Sequence, residues 1–359
     1  MRKIKRGLCL TAAALTALLF TGCFGGAEVG ERAFVQLMGL EKEDGIYTVS
    51  LQLYKSESGT AEPDVSKANS VSVSGSGATV QAAIADAETE AGKKIFLGHI
   101  KMLIIGSGIE NPSDELALFL DGSVSPACPV AYSDDPAAVT ETLLTDGSFS
   151  AEQLMTIMSL TAAQGKTVYT SAAKLAADTG VLDCAAALPI VKAENDTVRF
   201  DGLTFARKNG TAGYLSEEDA AGVKLLLDAF ESGDKITVPV TADGKRATAF
   251  ITGAKTCLKA EESEDVLTVS ADIKLKLYIA ENPDGISEPL IEQAVRESVR
   301  DSCIGAFSSA VWYNSCDLFG IKKLVRRDCP EFYGRYCENA ESYLEDSSLS
   351  VSVSDRLIG

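Results

Sequence analysis

Val266-Leu267-Thr268-Val269-Ser270-Ala271-Asp272-Ile273-Lys274-Leu275-Lys276-Leu277-Tyr278-Ile279 alternates apolar and polar side chains along its second half. Ile273, Leu275, Leu277 and Ile279 fall on one face, and Lys274, Lys276 and Tyr278 on the other. Period two is the mark of a half-buried β-strand. Thr248 to Leu258 precedes it with strand-like composition, so the pair reads as a long β-hairpin. Hairpins are antiparallel, and here they are interleaved with helical patterns. That order indicates an α+β fold, with mixed or antiparallel sheets packed with helices, more than a doubly wound parallel sheet.

Downstream, Ser287 caps a long helix with Pro289 in its first turn, and Ile291, Val295, Val299, Cys303 and Phe307 recur every four residues. Shorter helices are expected near Asp317 to Arg327 and Pro330 to Tyr343, then a closing strand with Leu349, Val351 and Val353. Upstream, Val198 to Ala206 reads as a strand, turning at Lys208-Asn209-Gly210. Ser216 and Asp219 resemble a capping box, opening a helix that runs to about Phe230.

Further back, Phe34 to Leu40 and Ile46 to Tyr54 are strands joined by an Asp44-Gly45 turn. Tyr47, Val49, Leu51 and Leu53 form the buried face of the second, with Thr48, Ser50 and Gln52 opposite. Ser56 to Asn69 reads as a polar loop. Val71 to Ser74 is a short strand, broken by Gly75-Ser76-Gly77 before Thr79 caps a helix to about Ala91. Met102 to Ile105 is apolar on both faces, hence a covered central strand. Ser113 caps a short helix, Asp114 to Leu120. Pro126 and Pro129 point to an edge position for Val124 to Tyr132. Helices follow at Pro136 to Leu144, Ala151 to Ala163 (capped by Ser150) and Thr170 to Asp178, where Gly180 stops the last. Ala185 to Pro189 marks a boundary.

The amino-terminal stretch decides where the chain resides. Arg2, Lys3, Lys5 and Arg6 precede an apolar run from Leu8 to Phe20, too short to span a bilayer comfortably. Thr21-Gly22-Cys23 follows. The arrangement resembles the lipobox of bacterial lipoproteins, which implies cleavage before Cys23 and lipid on that cysteine. An ordinary secretory signal is the alternative. On the lipoprotein reading, Phe24-Gly25-Gly26 leads away from the anchor as a short tether.

The 359 residues carry a formal charge of −18, and residues 1–22 hold four basic and no acidic side chains, so the remainder carries −22. Such a surface argues against nucleic acid and against broad adhesion to anionic headgroups. Of nine cysteines, seven lie beyond Cys23: Cys128, Cys184, Cys257, Cys303, Cys316, Cys329 and Cys337. None forms a CxxC pair, so no metal site is expected. Disulfides and buried inert thiols stand as equal readings.

A search for chemistry finds no enzyme and no cofactor site. His99 is the single histidine, and it stands at the mouth of an apolar strand as a structural or interfacial residue. Gly75-x-Gly77 lacks the third glycine of a dinucleotide fingerprint, and there is no Walker A pattern. Glu217, Glu218 and Asp219 complement a helix dipole better than they make an acid–base pair. Lys322, Lys323, Arg326 and Arg327 form the one basic concentration, either a solvated face or a contact for anionic headgroups or an acidic loop. Trp312 and Tyr313 are read as core.

Several stretches together resemble the Ger(x)C family of spore germination lipoproteins, the C subunits of nutrient germinant receptors. They begin at Cys23 and include Met38-Gly39-Leu40, Gly77-Ala78-Thr79-Val80-Gln81-Ala82 and Gly92-Lys93-Lys94-Ile95-Phe96-Leu97-Gly98-His99-Ile100-Lys101-Met102-Leu103-Ile104-Ile105-Gly106. Asp201-Gly202-Leu203-Thr204-Phe205 and Ala212-Gly213-Tyr214-Leu215-Ser216 carry it through the second half. Two departures stand out: Phe24-Gly25 after the cysteine, where the family often has Trp-Asp, and a high cysteine load.

The resemblance implies a multidomain α+β protein, lipid-anchored at the outer face of the spore inner membrane. It implies assembly with A-type and B-type membrane subunits, a role in receptor assembly and triggering of germination, and no enzymatic activity. The expected organisation is a signal peptide over 1–22, an α+β domain over 23–192 and a second over 193–359, with room for a subdivision near 243. A lipid-anchored extracytoplasmic solute-binding protein is the alternative function. An anchored hydrolase is a third, left little room by the single histidine.

Overall fold

The computed structural model describes residues 32–54, 70–109, 123–142, 151–181, 184–194, 197–264, 266–337 and 343–358, together with Pro112 and Glu115. Cys23 and its tether, the 56–69 loop, the helix expected from Asp114 and the Ser150 cap lie outside the described residues.

Two sheets organise the described residues. The first begins with β1 (Arg32–Glu43) and β2 (Ile46–Tyr54), joined where Asp44 and Gly45 take φ of 50° and 80°. Two left-handed residues suit a tight hairpin turn. β3 (Ser70–Gly77) adds antiparallel to β2. It is not broken by its glycines as the sequence suggested. Helix α1 (Val80–Ala91), capped by Thr79, lies directly on it. A Cβ on Gly75 would stand 2.2 Å from the Ala83 carbonyl oxygen, so the glycines permit helix and strand backbones to touch. α1 buries Val80, Ala83, Ile84 and Ala87, the expected stripe.

On the other side of β1, β4 (Lys94–Phe96) and β5 (Met102–Ile105) run parallel to it. β5 is buried throughout, as expected. β6 (Val130–Tyr132) follows, parallel to β5 and to β7 (Ala186–Glu194). The edge position expected from the prolines is therefore corrected. Pro129 stops short of the three-residue strand and offers only its carbonyl, which accepts from Leu103 N at 2.9 Å. Ala185 to Pro189, read as a boundary, leads into β7 instead. β8 (Thr197–Arg207) and β9 (Gly210–Leu215) complete the sheet in antiparallel fashion. The division expected at 192/193 lies in the β7–β8 hairpin, where Lys192 pairs with Arg199.

Helices α2 (Pro136–Thr142), α3 (Ala151–Ala163) and α4 (Ala172–Ala176) belong to this part. Leu37, Met102 and Ile104 cluster with Val139 of α2 and Leu154 and Met158 of α3. Ser50 and Gln52 are therefore buried as well, and β2 is covered on both faces rather than half-buried. Among the described residues, the Gln52 amide finds no hydrogen-bond partner. α4 passes into a π-helical turn, Ala177–Val181, that contains Gly180.

The second sheet has the order β10 (Ile236–Ala242), β11 (Lys245–Ser263), β12 (Val266–Glu281), β13 (Ser348–Leu357). β11 and β12 are the long hairpin, and β13 joins β12 in parallel. The sequence reading did not anticipate β10, although Ile236, Val238 and Val240 alternate; Pro239 fits its edge position. α5 (Glu217–Leu226), α6 (Glu288–Phe307) and α7 (Ile321–Asp328) pack on this sheet. α5 ends sooner than expected. The α6 stripe of Ile291, Val295, Val299, Cys303 and Phe307 is buried as read. Leu203 and Phe205 of β8 share this core, so the two parts meet without a break in packing.

Candidate functional site: a cavity at the seam

The residues singled out from sequence do not converge. His99 sits in the turn after β4 and is exposed, not enclosed by an apolar strand. Its ring packs 5.5 Å from both Phe34 and Phe96, which are themselves 5.6 Å apart edge-to-face. Lys101 reaches Glu152 at 3.7 Å. Glu217, Glu218 and Asp219 occupy the first turn of α5 as expected. The capping box is incomplete: Ser216 makes no side-chain bond to the backbone and meets Asp219 Oδ2 at 3.4 Å. Burial raises the Asp219 carboxyl above its usual range.

The basic concentration on α7 is divided. Arg327 pairs with Asp328 and donates to the Leu258 carbonyl, and Arg326 lies over the Tyr333 ring. Trp312 is a core residue, donating to Ser347 O at 2.7 Å and packed edge-on against Phe307. Tyr313, expected with it, is 82% exposed because the chain turns out of α6 through a π-helical turn, Ser308–Trp312. Cys128, Cys184, Cys257, Cys303, Cys316 and Cys329 are in no disulfide. Burial pushes the Cys128 and Cys303 thiols up to about 12, which favours inert thiols at those two positions. Among the described residues, no three His, Cys, Asp or Glu side chains come together to hold a metal.

What sequence reasoning missed is a cavity of about 620 Å³ where the two parts meet. α3 and the start of β7 form one wall, and α5 with the segment after it forms the other. Lys224, an unremarkable lysine on an amphipathic helix, is its centrepiece. Its Nζ lies 2.7 Å from Asp234 Oδ2 and donates to the Ala162 carbonyl at 2.6 Å, with the two side chains only 7% and 9% exposed. Asp234 also accepts from Glu231 N, and the Phe230 ring flanks the ammonium. Each charge therefore has its counter-charge and hydrogen bonds, the condition under which burial is tolerable.

The rest of the lining is mixed. Val168, Leu227 and Leu318 are apolar, while Thr170, which donates to Ala187 O at 2.7 Å, and Lys174 are polar. A volume of this size is in the range of small-molecule sites. The arrangement can shelter a small, partly apolar molecule, and Lys224 ties the second part to the Ala162 carbonyl of the first. The only signal in the sequence was a lysine on the buried side of a helix; its partners lie 62 residues upstream and ten downstream. Among the described residues no helix is long and apolar enough to cross a membrane.

Comparison with known proteins gives the following. A family profile described as spore germination protein N-terminal domain matches residues 26–192. A second, described as spore germination B3/GerAC like, C-terminal, matches residues 201–356. The crystal structure of the GerBC protein superposes with a TM-score of 0.60 at 14% identity, covering 90% of this chain and 97% of that one. That likeness shows a shared fold. No curated protein sequence matches the chain.

Proposed function

This chain belongs to the GerAC-like family of spore germination proteins, and from that membership we propose that it is the lipid-anchored C subunit of a nutrient germinant receptor. The observation that carries the reading is the unbroken order of the two germination profiles over 26–192 and 201–356, directly behind the lipobox-like Thr21-Gly22-Cys23. On this reading Cys23 carries the lipid and the protein sits at the outer face of the spore inner membrane. It assembles with A-type and B-type membrane subunits and supports triggering of germination without catalysing a reaction. The parts 23–192 and 193–359 are its two sequence modules, joined through the β7–β8 hairpin.

Two experiments test this. Cys23→Ala, expressed without partners, is expected to leave the membrane fraction; unchanged retention would defeat the anchor. Affinity purification of the full-length protein from spores is expected to bring down both membrane subunits, and its deletion to abolish one nutrient response. Recovery of neither subunit, with germination intact, would defeat the receptor assignment. The seam cavity favours a second reading, a lipid-anchored solute-binding protein. A thermal shift of the isolated protein on adding a nutrient would support it.

A further inference from the structure

The second sheet has one guarded edge and one open edge. Beyond the stretch covered by β10, the outer edge of β11 is closed by side chains. Asp228 accepts from Thr256 N at 2.8 Å, Asp328 accepts from Ala260 N at 3.0 Å, Arg327 donates to Leu258 O and the Cys329 thiol to Ala260 O. These caps satisfy backbone groups that would otherwise template another strand.

β13 has nothing comparable. It pairs with β12 over ten residues with no register shift, and among the described residues no strand lies beyond it. Ile358 N donates to Leu277 O, and by the period of two the even-numbered residues turn their backbone groups toward β12. Leu349, Val351, Val353, Asp355 and Leu357 therefore turn their N–H and C=O groups outward. Arg300 of α6 reaches one of these, the Val351 carbonyl, at 3.4 Å. From Ser348 to Ser354 the strand contains no proline and no charge, the usual guards of an exposed edge.

The flanks of this edge are basic in a chain of charge −18. On the solvent face, Lys274 and Lys276 of β12 pair in register with Ser354 and Arg356, and all three cations are exposed; the row holds one exposed carboxylate, Asp272, opposite Ser352. No carboxylate pairs with Lys274, Lys276 or Arg356 among the described residues. On the helix face stand Arg300 and Arg296, the latter paired with Asp355. Ser350, Ser352 and Ser354 are exposed between these rows and are small enough for long neighbouring side chains to lie across them.

We propose that β13 is a docking edge for an extended, acidic segment of a partner protein, which adds as a fifth strand and sets its carboxylates against Lys274, Lys276 and Arg356. Main-chain bonds supply the affinity and the cation rows the selectivity. A membrane surface would use the cations but leave the outward amides unpaired. A second copy would bring its own large negative charge against this one. The surface stands whether or not the chain joins a receptor.

The test uses the full-length protein in neutral detergent and two probes, an eight-residue alternating Glu-Val peptide and its Lys-Val counterpart. The Glu-Val peptide is expected to bind at least tenfold more tightly and to slow hydrogen exchange at Val351, Val353 and Asp355, with Ser350, Ser352 and Ser354 already protected. Val353→Pro removes an outward N–H that β12 does not use, so it should abolish binding while the remaining amides of β13 stay protected. Lys274→Glu with Lys276→Glu should weaken binding at least tenfold and leave the melting temperature unchanged. Should Val353→Pro disturb the sheet, the charge-reversal pair still decides. Equal binding of the two peptides, or no added protection at the odd-numbered amides, overturns the proposal. So does phosphatidylglycerol-vesicle binding that Val353→Pro leaves intact, which would make the surface a membrane contact. A concentration-dependent doubling of mass that the Glu-Val peptide cannot reverse overturns it in favour of self-association.

Discussion

At the scale of single residues, two buried acids act in opposite ways. Asp234 is neutralised by Lys224 at 2.7 Å. Lys224→Met would leave that carboxylate enclosed and unpaired, and should destabilise the protein by roughly 3–5 kcal/mol in urea unfolding. Lys224→Met combined with Asp234→Leu should recover most of that loss, because both charges are gone. Asp317 makes no ion pair among the described residues, and Lys323 acts on it only as a lesser influence. It accepts from Ile321 N at 2.5 Å and Lys322 N at 2.9 Å at the start of α7, but burial outweighs these bonds and raises its carboxyl above the ordinary 3.8. The unfolded chain releases this proton near 3.8, while the folded chain holds it to higher pH. Between those values the folded state binds more protons, so Asp317 makes stability fall as pH rises through the window. Asp317→Asn should therefore gain on the wild type as pH is raised from about 4, in paired denaturation curves; a constant difference would refute this.

At the scale of elements, contacts between backbones set the tolerances. Gly75 admits α1 onto β3, and Gly222 admits α5 onto α6, where a Cβ would stand 2.1 Å from Ser302 O. Neither obstacle is a flexible side chain. Gly75→Ala and Gly222→Ala should each cost about 3 kcal/mol, measured by urea unfolding, whereas Gly45→Asn, at an open left-handed turn, should be nearly neutral. Sequence patterns found the elements whose side chains carry a period. The β11–β12 hairpin, α1 and α6 were legible because burial follows alternation or a four-residue stripe. Gly75 looked like a strand breaker because sequence does not show which backbone lies alongside. Ala185 to Pro189 looked like a boundary because of its alanines and proline, yet small side chains suit a strand buried between layers. Two prolines suggested an edge for β6, while the true edge strand β10 was not anticipated despite the alternation of Ile236, Val238 and Val240. The seam cavity was illegible because it joins α3, α5 and the loop after α5, which no local pattern connects.

At the scale of the whole molecule, the seam should make the two parts unfold together. Lys224 bonds Ala162 O, Lys235 N bonds Ala163 O, Ala185 N bonds Asp317 O, and β7 pairs with β8 across 192/193. Trp312 is the sole tryptophan and lies in the second part against Phe307, so its fluorescence reports that part alone. Urea transitions followed by Trp312 fluorescence and by far-ultraviolet circular dichroism are expected to coincide. Two separated midpoints would show that the seam does not couple the parts. Lys224→Met removes the bond to Ala162 O that crosses the seam and should pull the midpoints apart.

β1 begins at Arg32, and its first turn of strand carries Phe34 against the Phe96 and His99 rings. If Cys23 carries the lipid, as proposed above, only residues 24–31 separate the bilayer from that corner. Fully extended, such a leash spans at most about 29 Å. On the proposed anchoring, the corner would stay near the headgroups, and the rest of the body would be free to turn about it. For any protein embedded in the same bilayer, the encounter becomes a search in two dimensions, at an effective concentration that short tethers bring into the millimolar range, on the order of 1 mM. A weak contact, too feeble to survive between freely diffusing molecules, would then suffice to keep the two together.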